Sequence, residues 1–209
     1  MKLFSMDGKF LSGFNKVTDL VTLNLLWILC CIPIVTIGAS TSALYQVSIQ
    51  IAEDRETYIA RSFFQAFREN FKQATIVWLS TIIVGAVLIS DIFIVSHFFS
   101  SSSICVILGL LFMICVLLFA GSLYFFPVIA YFRNSTKKIF INSFRLAFGR
   151  LGTTLQLFLI GLIPMLVLVM FKDKIILGSF LIVIIVPSLT VFLKSVLLAK
   201  LFKTLKVNS

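Results

Sequence analysis

Histidine, proline and acidic side chains are scarce in this chain of 209 residues. It has one histidine, four prolines, and eight aspartates and glutamates together. A single histidine, His97, excludes an HExxH zinc helix and any His-rich metal cluster. No GxSxG elbow and no Walker phosphate loop occurs, and no serine or threonine has a plausible base beside it in sequence. An enzyme is therefore not expected, and neither is a cofactor. The four cysteines, Cys30, Cys31, Cys105 and Cys115, lie in apolar runs without CxxC spacing. They read as reduced packing residues rather than disulfide partners or zinc ligands. Charge is also sparse, at 12% of residues against about a quarter in a soluble domain. So little charge cannot keep the surface of a water-soluble globule wet.

What fills the chain instead is apolar. Hydrophobic residues make up 60%, phenylalanine alone occurs 23 times, and mean hydropathy is +1.11. A polytopic membrane protein follows, forming one integral domain over residues 1–209, with the lipid bilayer as its first partner. Lys and Arg number 18 against the eight acids, a net charge of +10. In this setting the excess reads as basic residues gathered on the cytoplasmic side, not as a nucleic-acid surface.

Apolar segments are plain at 74–97, 104–132, 153–171 and 175–199, and a fifth covers 17–34. The stretch 38–52 is only mildly apolar but carries no charge, and the placement of Lys and Arg decides how to count it. With six spans, Lys2, Lys9, Lys16, Arg55, Arg61, Arg68 and Lys72 share one side. Arg133, Lys137, Lys138, Arg145, Arg150, Lys200, Lys203 and Lys206 join them. Only Lys172 and Lys174 fall opposite, and Lys194 lies inside the last span. The expected fold is thus an all-α transmembrane bundle of about six spans in the cell membrane, both termini cytoplasmic. The first segment reads as a retained anchor, because the run before it is long, amphipathic and unlike a short leader.

A short aromatic pattern, Phe-x-x-small-Phe, precedes each outward span: Phe10–Phe14, Phe63–Phe67 and Phe144–Phe148. Spacing of i, i+4 puts both rings on one helical face. These segments are expected as interfacial amphipathic helices, rings toward lipid and cations toward phosphates. Phe63, Phe67, Arg68, Phe144 and Phe148 are the candidate partner contacts on that face.

Ionisable residues in the spans are functional candidates by default, but Asp19, Asp91 and Lys194 all map near an interface. That argues against a proton- or sodium-coupled carrier. The deep neutral polar groups are candidates instead: Asn24, Trp27, Ser40, Thr41 and Gln46, with Gly38 allowing close helix approach. They serve either helix packing or the lining of a substrate path.

Several strings resemble a known family. They are Phe4-Ser5-Met6-Asp7-Gly8-Lys9-Phe10, Asn24-Leu25-Leu26-Trp27, Pro33, Thr36-Ile37-Gly38-Ala39-Ser40-Thr41 and Ala43-Leu44-Tyr45. Ser62-Phe63-Phe64 and Glu69-Asn70-Phe71-Lys72-Gln73-Ala74-Thr75 complete the set. Together they resemble the YesL-like family of bacterial integral membrane proteins, a domain of unknown function. The resemblance implies a small polytopic protein associated with carbohydrate uptake systems of the ATP-binding-cassette (ABC) type. It implies ABC transporter subunits as partners, this chain being either an accessory or assembly protein or a permease-like subunit with its own substrate path, and it carries over no site residues. A second similarity is weaker. Ala147, Gly152, Gln156, Phe158 and Pro164 are spaced like the loop by which such permeases dock on their ATPase. Leu146 and Phe148 depart from that loop's pattern, so an ordinary interfacial helix entering a span is the expectation there.

Overall fold

The computed structural model describes the backbone of residues 3–55, 58–98, 104–132, 134–170 and 175–207. Side chains are described for 16–55, 58–95, 97, 106–132, 134–170 and 184–204. The expectations for Lys2, Arg133, Lys172, Lys174 and the 99–103 loop fall outside the described residues, as do the side chains of Lys9, Phe10, Phe14, Cys105 and Lys206.

Every described element is helical. Helix α1 (Leu3–Cys31) ends ahead of Pro33, which cannot continue its hydrogen bonding. A 3-10 turn at Ile34–Thr36 reverses the chain into α2 (Ile37–Ala52). Thr36 fastens this turn, its hydroxyl donating to the carbonyls of Cys30 at 2.6 Å and Pro33 at 2.7 Å. After the 53–58 connection come α3 (Ile59–Phe98), α4 (Ile104–Tyr131), α5 (Thr136–Gly149), α6 (Leu151–Gly161), α7 (Ile163–Met170) and α8 (Ile175–Val207). Asp54 makes the tight connection with φ at 52°, a left-handed conformation that aspartate tolerates better than most residues. Pro164 sits in the first turn of α7, where no intrahelical N–H is needed.

Four helical segments are long and apolar enough to cross a bilayer: Ile59–Val95, Val106–Tyr131, Leu151–Met170 and Ile184–Thr204. Two expectations change. The expected interfacial helix at Phe63–Phe67 is not separate from the span at 74–97; both belong to α3, whose 40 residues extend about 60 Å. The segment at 38–52, expected as a span, is α2, whose 16 residues rise about 24 Å, short of a hydrocarbon core of roughly 30 Å.

The reason α2 reads as weakly apolar is its position. It packs on α3, α8, α4 and α1, and eleven of its residues are buried, from Gly38 to Ile51. A helix enclosed by other helices need not be greasy on every side, and small residues serve it better. Lys16 meets Asp54 at 2.7 Å while Trp27 meets Thr41 at 3.3 Å, so α1 and α2 form an antiparallel hairpin. α3 runs back along α2: Asn70 donates to Gln46 at 2.8 Å, and Trp78 Nε1 donates to the Ile34 carbonyl in the hairpin turn at 3.0 Å. The hairpin therefore ends level with Trp78, and the remaining 20 residues of α3 run on for about 30 Å.

Burial divides the molecule in the same way. Among the described residues, α3 has none buried beyond Val77, and α4 has none before Gly121. The packed core joins Tyr45, Ala74, Val77, Tyr124, Val128, Ile139, Leu198 and Phe202, and a second cluster joins Leu23, Leu44, Val47, Ile59 and Phe63. Arg61, Arg68, Lys72, Lys137, Lys138, Lys200 and Lys203 belong to this packed end. The far halves of α3 and α4 expose Ile83, Ile89, Phe93, Val106, Phe112 and Met113, which suits lipid.

Candidate functional site

The polar residues singled out in the hairpin hold helices together. Asn24 is fully buried, and its amide donates to the Ile184 carbonyl on α8. Pro187 lies one turn later and, lacking an N–H, loosens the hydrogen bonding of that stretch. Trp27 donates to Thr41, and Thr41 in turn donates to the Ile37 carbonyl at 2.7 Å. Ser40 is fully buried. At Gly38, α2 and α3 approach closely: a Cβ there would stand 2.6 Å from the Ala74 carbonyl oxygen and from Trp78 Cβ.

The phenylalanines sort by face. Phe63 is fully buried, stacked at 6.4 Å from Phe67, and Phe67 packs between both core clusters. Phe63 is therefore a core residue rather than a partner contact, because α1 and α2 cover the face on which it lies. The exposed rings on the same stretch are Phe64 and Phe71, beside exposed Arg61 and Arg68. Phe144 lies against Gly121 and packs edge-on to Phe125 at 6.1 Å, locking α5 onto α4. Phe148, stacked on Phe144, is half exposed. Sequence spacing put these rings on common faces correctly but could not say which face met protein.

Two apolar clefts open among the lipid-facing halves. One, about 430 Å³, lies between α3, α4 and α5 around Val84, Leu118 and Phe144; the other, about 660 Å³, lies between α4 and α6 around Val116, Leu123 and Leu155. The hydroxyls of Ser80, Thr81, Ser122 and Thr154 in their walls donate to backbone carbonyls, and the largely apolar lining suits contact with lipid. A third recess differs. It measures about 280 Å³ and lies at the charged end, between the C-terminal turns of α2, the first third of α3 and the end of α4. Gln46, Gln50, Glu53, Arg55, Glu69 and Asn70 supply its polar side, and Tyr131 and Phe132 its aromatic side. Of this group only Gln46 was a candidate site residue in the sequence. The others sit in a charged stretch and its neighbours, and nothing in their spacing brings three helices to one point.

Ion pairs set the edge of the recess. Glu53 is paired with Arg55 at 2.6 Å and lies 3.5 Å from Lys203 on α8. Nearby, the Lys16 ammonium holds the Asp54 carboxyl below its usual range, first by hydrogen bonding and then by charge. These contacts tie α1, α2, α8 and the 53–55 turn together at the basic face.

Residues 20–92, from α1 into the far part of α3, match the model of a family described as a protein of unknown function, DUF624. No curated protein matches the chain, and no solved structure does.

Proposed function

We propose that this is a non-enzymatic integral membrane protein that works through its packed, basic face, as an accessory or assembly partner of a carbohydrate uptake system of the ABC type. The observation that carries the reading is where packing is concentrated. The buried residues of α3 and α4 gather next to the charges, so the molecule is most rigid where a cytoplasmic or juxtamembrane partner would meet it. Among the described residues, the apolar halves of α3 and α4 have no buried polar side chain. Exposed Phe64, Phe71, Arg61 and Arg68 on α3 and Phe148 on α5 form the contact surface in this reading. The resemblance to the YesL-like family supports the type of partner.

The accompanying topology has α3 from about residue 74, α4, α6 with α7, and α8 crossing the bilayer. The α1–α2 hairpin enters from the cytoplasmic side with its tip only. Leu29, Ile32 and Ile34, 62–74% exposed, make that tip apolar. Both termini stay cytoplasmic, and the basic residues keep the side that the positive-inside rule assigns them.

Two measurements test this. Affinity purification in mild detergent is expected to bring down subunits of an importer; sugar uptake by vesicles holding this protein alone would overturn the accessory role. In a cysteine-free background, Ile34→Cys is expected to resist impermeant maleimide from outside. Labelling from outside would restore two full spans for the hairpin.

A further inference from the structure

The last span carries a charge with no counter-charge among the described residues. Lys194 of α8 is half-buried, and its ammonium lies against Gly161, the last residue of α6. A Cβ at Gly161 would stand 3.1 Å from Lys194 Nζ and 3.7 Å from Cε, so the glycine leaves room for the end of the lysine. Two rulers give the depth. Gly161 is eleven residues past Arg150, about 16 Å along α6. Lys194 is nine residues before Lys203, which meets Glu53 at the basic face, about 14 Å along α8. Both figures are about half of a hydrocarbon core of roughly 30 Å, so the ammonium lies short of the interface that the sequence predicts for it.

Among the described residues no carboxylate lies within 4 Å of this ammonium, and it donates to no carbonyl. Glu53 and Asp54 are taken by Arg55, Lys203 and Lys16, and Glu69 accepts from Gln65 at 3.0 Å. The end of α6 answers the charge only in part. Pro164 has no N–H to give the Ile160 carbonyl, and a helix C-terminus carries about half a negative charge.

We propose that Lys194 is the docking point for a partner's transmembrane helix that carries a carboxylate at mid-membrane depth. A lysine inside a membrane is costly unless paired, and charge complementarity selects an acid. Lipid phosphates stay at the headgroup level, about half the core thickness away, whereas a side chain on a spanning helix is held at this depth by its own span. A second copy of this chain fits poorly. Asp91, on the lipid-facing half of α3, lies 17 residues beyond residue 74, about 25 Å along the helix and about 10 Å farther out than Lys194.

The inference goes beyond the accessory reading and does not rest on it. A protein that retains no importer subunit loses that role and keeps this docking point.

The test reconstitutes the full-length protein in phosphatidylcholine vesicles with a leucine-alanine peptide of about 23 residues. The peptide bears one central glutamate and a dansyl group, and energy transfer from Trp27 and Trp78 reports association. Saturable transfer, displaced by unlabelled peptide, is expected. Peptides with a central glutamine, or with the glutamate moved two turns toward one end, are expected to associate about tenfold more weakly. Lys194→Arg is expected to keep the preference for glutamate and Lys194→Met to lose it. Lys194→Met is also expected to leave the melting temperature of the free protein unchanged or raised, because it removes an unanswered charge. An ammonium already satisfied by the end of α6 would make that variant melt lower. Equal association of the glutamate and glutamine peptides, a glutamate preference that survives Lys194→Met, or a lower melting temperature for Lys194→Met would each overturn the docking point.

Discussion

Replacing Gly38 by alanine puts one methyl group into a tight contact between α2 and α3. The new Cβ would lie 2.6 Å from both the Ala74 carbonyl oxygen and Trp78 Cβ, and neither is the free end of a flexible chain. α2 and α3 must therefore part by a good fraction of an ångström. Overpacking of this kind costs about 1–3 kcal/mol. The bonds from Trp78 to Ile34 and from Asn70 to Gln46 span the same interface, and weakening either adds about 0.5–1.5 kcal/mol. Alanine's better helix propensity returns about 1 kcal/mol, leaving a net loss between about 0.5 and about 3.5 kcal/mol. Gly85→Ala is the control, since a Cβ there meets nothing within 4 Å and only the propensity gain remains. The assay is denaturant titration in mild detergent followed by tryptophan emission, to which Trp78 at this contact contributes directly. The two variants should differ by about 1.5–4.5 kcal/mol with opposite signs. Equal stabilisation by both would refute the close approach of α2 to α3 and the hairpin geometry built on it.

Other expectations are as direct. Phe63→Ala should destabilise by about 3–5 kcal/mol, whereas Phe64→Ala should stay within about 0.5 kcal/mol and instead weaken retention of a partner in pull-downs. Asn24→Ala should cost about 1–3 kcal/mol, because the Ile184 carbonyl loses its donor beside the Pro187 break; the same denaturant titration reads it. The Lys16–Asp54 pair has a pH signature. Asp54's carboxyl is depressed in the folded protein, so its contribution is present above the unfolded value of about 3.9 and is lost as pH falls through the folded one. A Lys16/Asp54 double-mutant cycle should therefore show coupling at neutral pH that fades in acid.

Much of this protein is legible in its composition. Sixty per cent hydrophobic residues with few charges require helices in a bilayer, since only satisfied backbones persist there. Pro33, at the hairpin turn, marks a reversal in sequence as well as in structure. The i, i+4 spacing of Phe63, Phe67 and Phe71 puts them on one face, and ring distances of 6.4 and 5.5 Å bear that out. Tertiary structure decided the rest. It made α3 one helix through the expected boundary near residue 74, enclosed α2 among α1, α3, α4 and α8, and buried Phe63 while exposing its neighbour Phe64. It also gathered Gln50, Glu53, Asn70 and Tyr131 from three helices into one recess. The physical reason is that apolarity tells inside from outside only against water. Where lipid is as apolar as the core, a phenylalanine satisfies either, and only the shape of the neighbouring helices determines which one it meets.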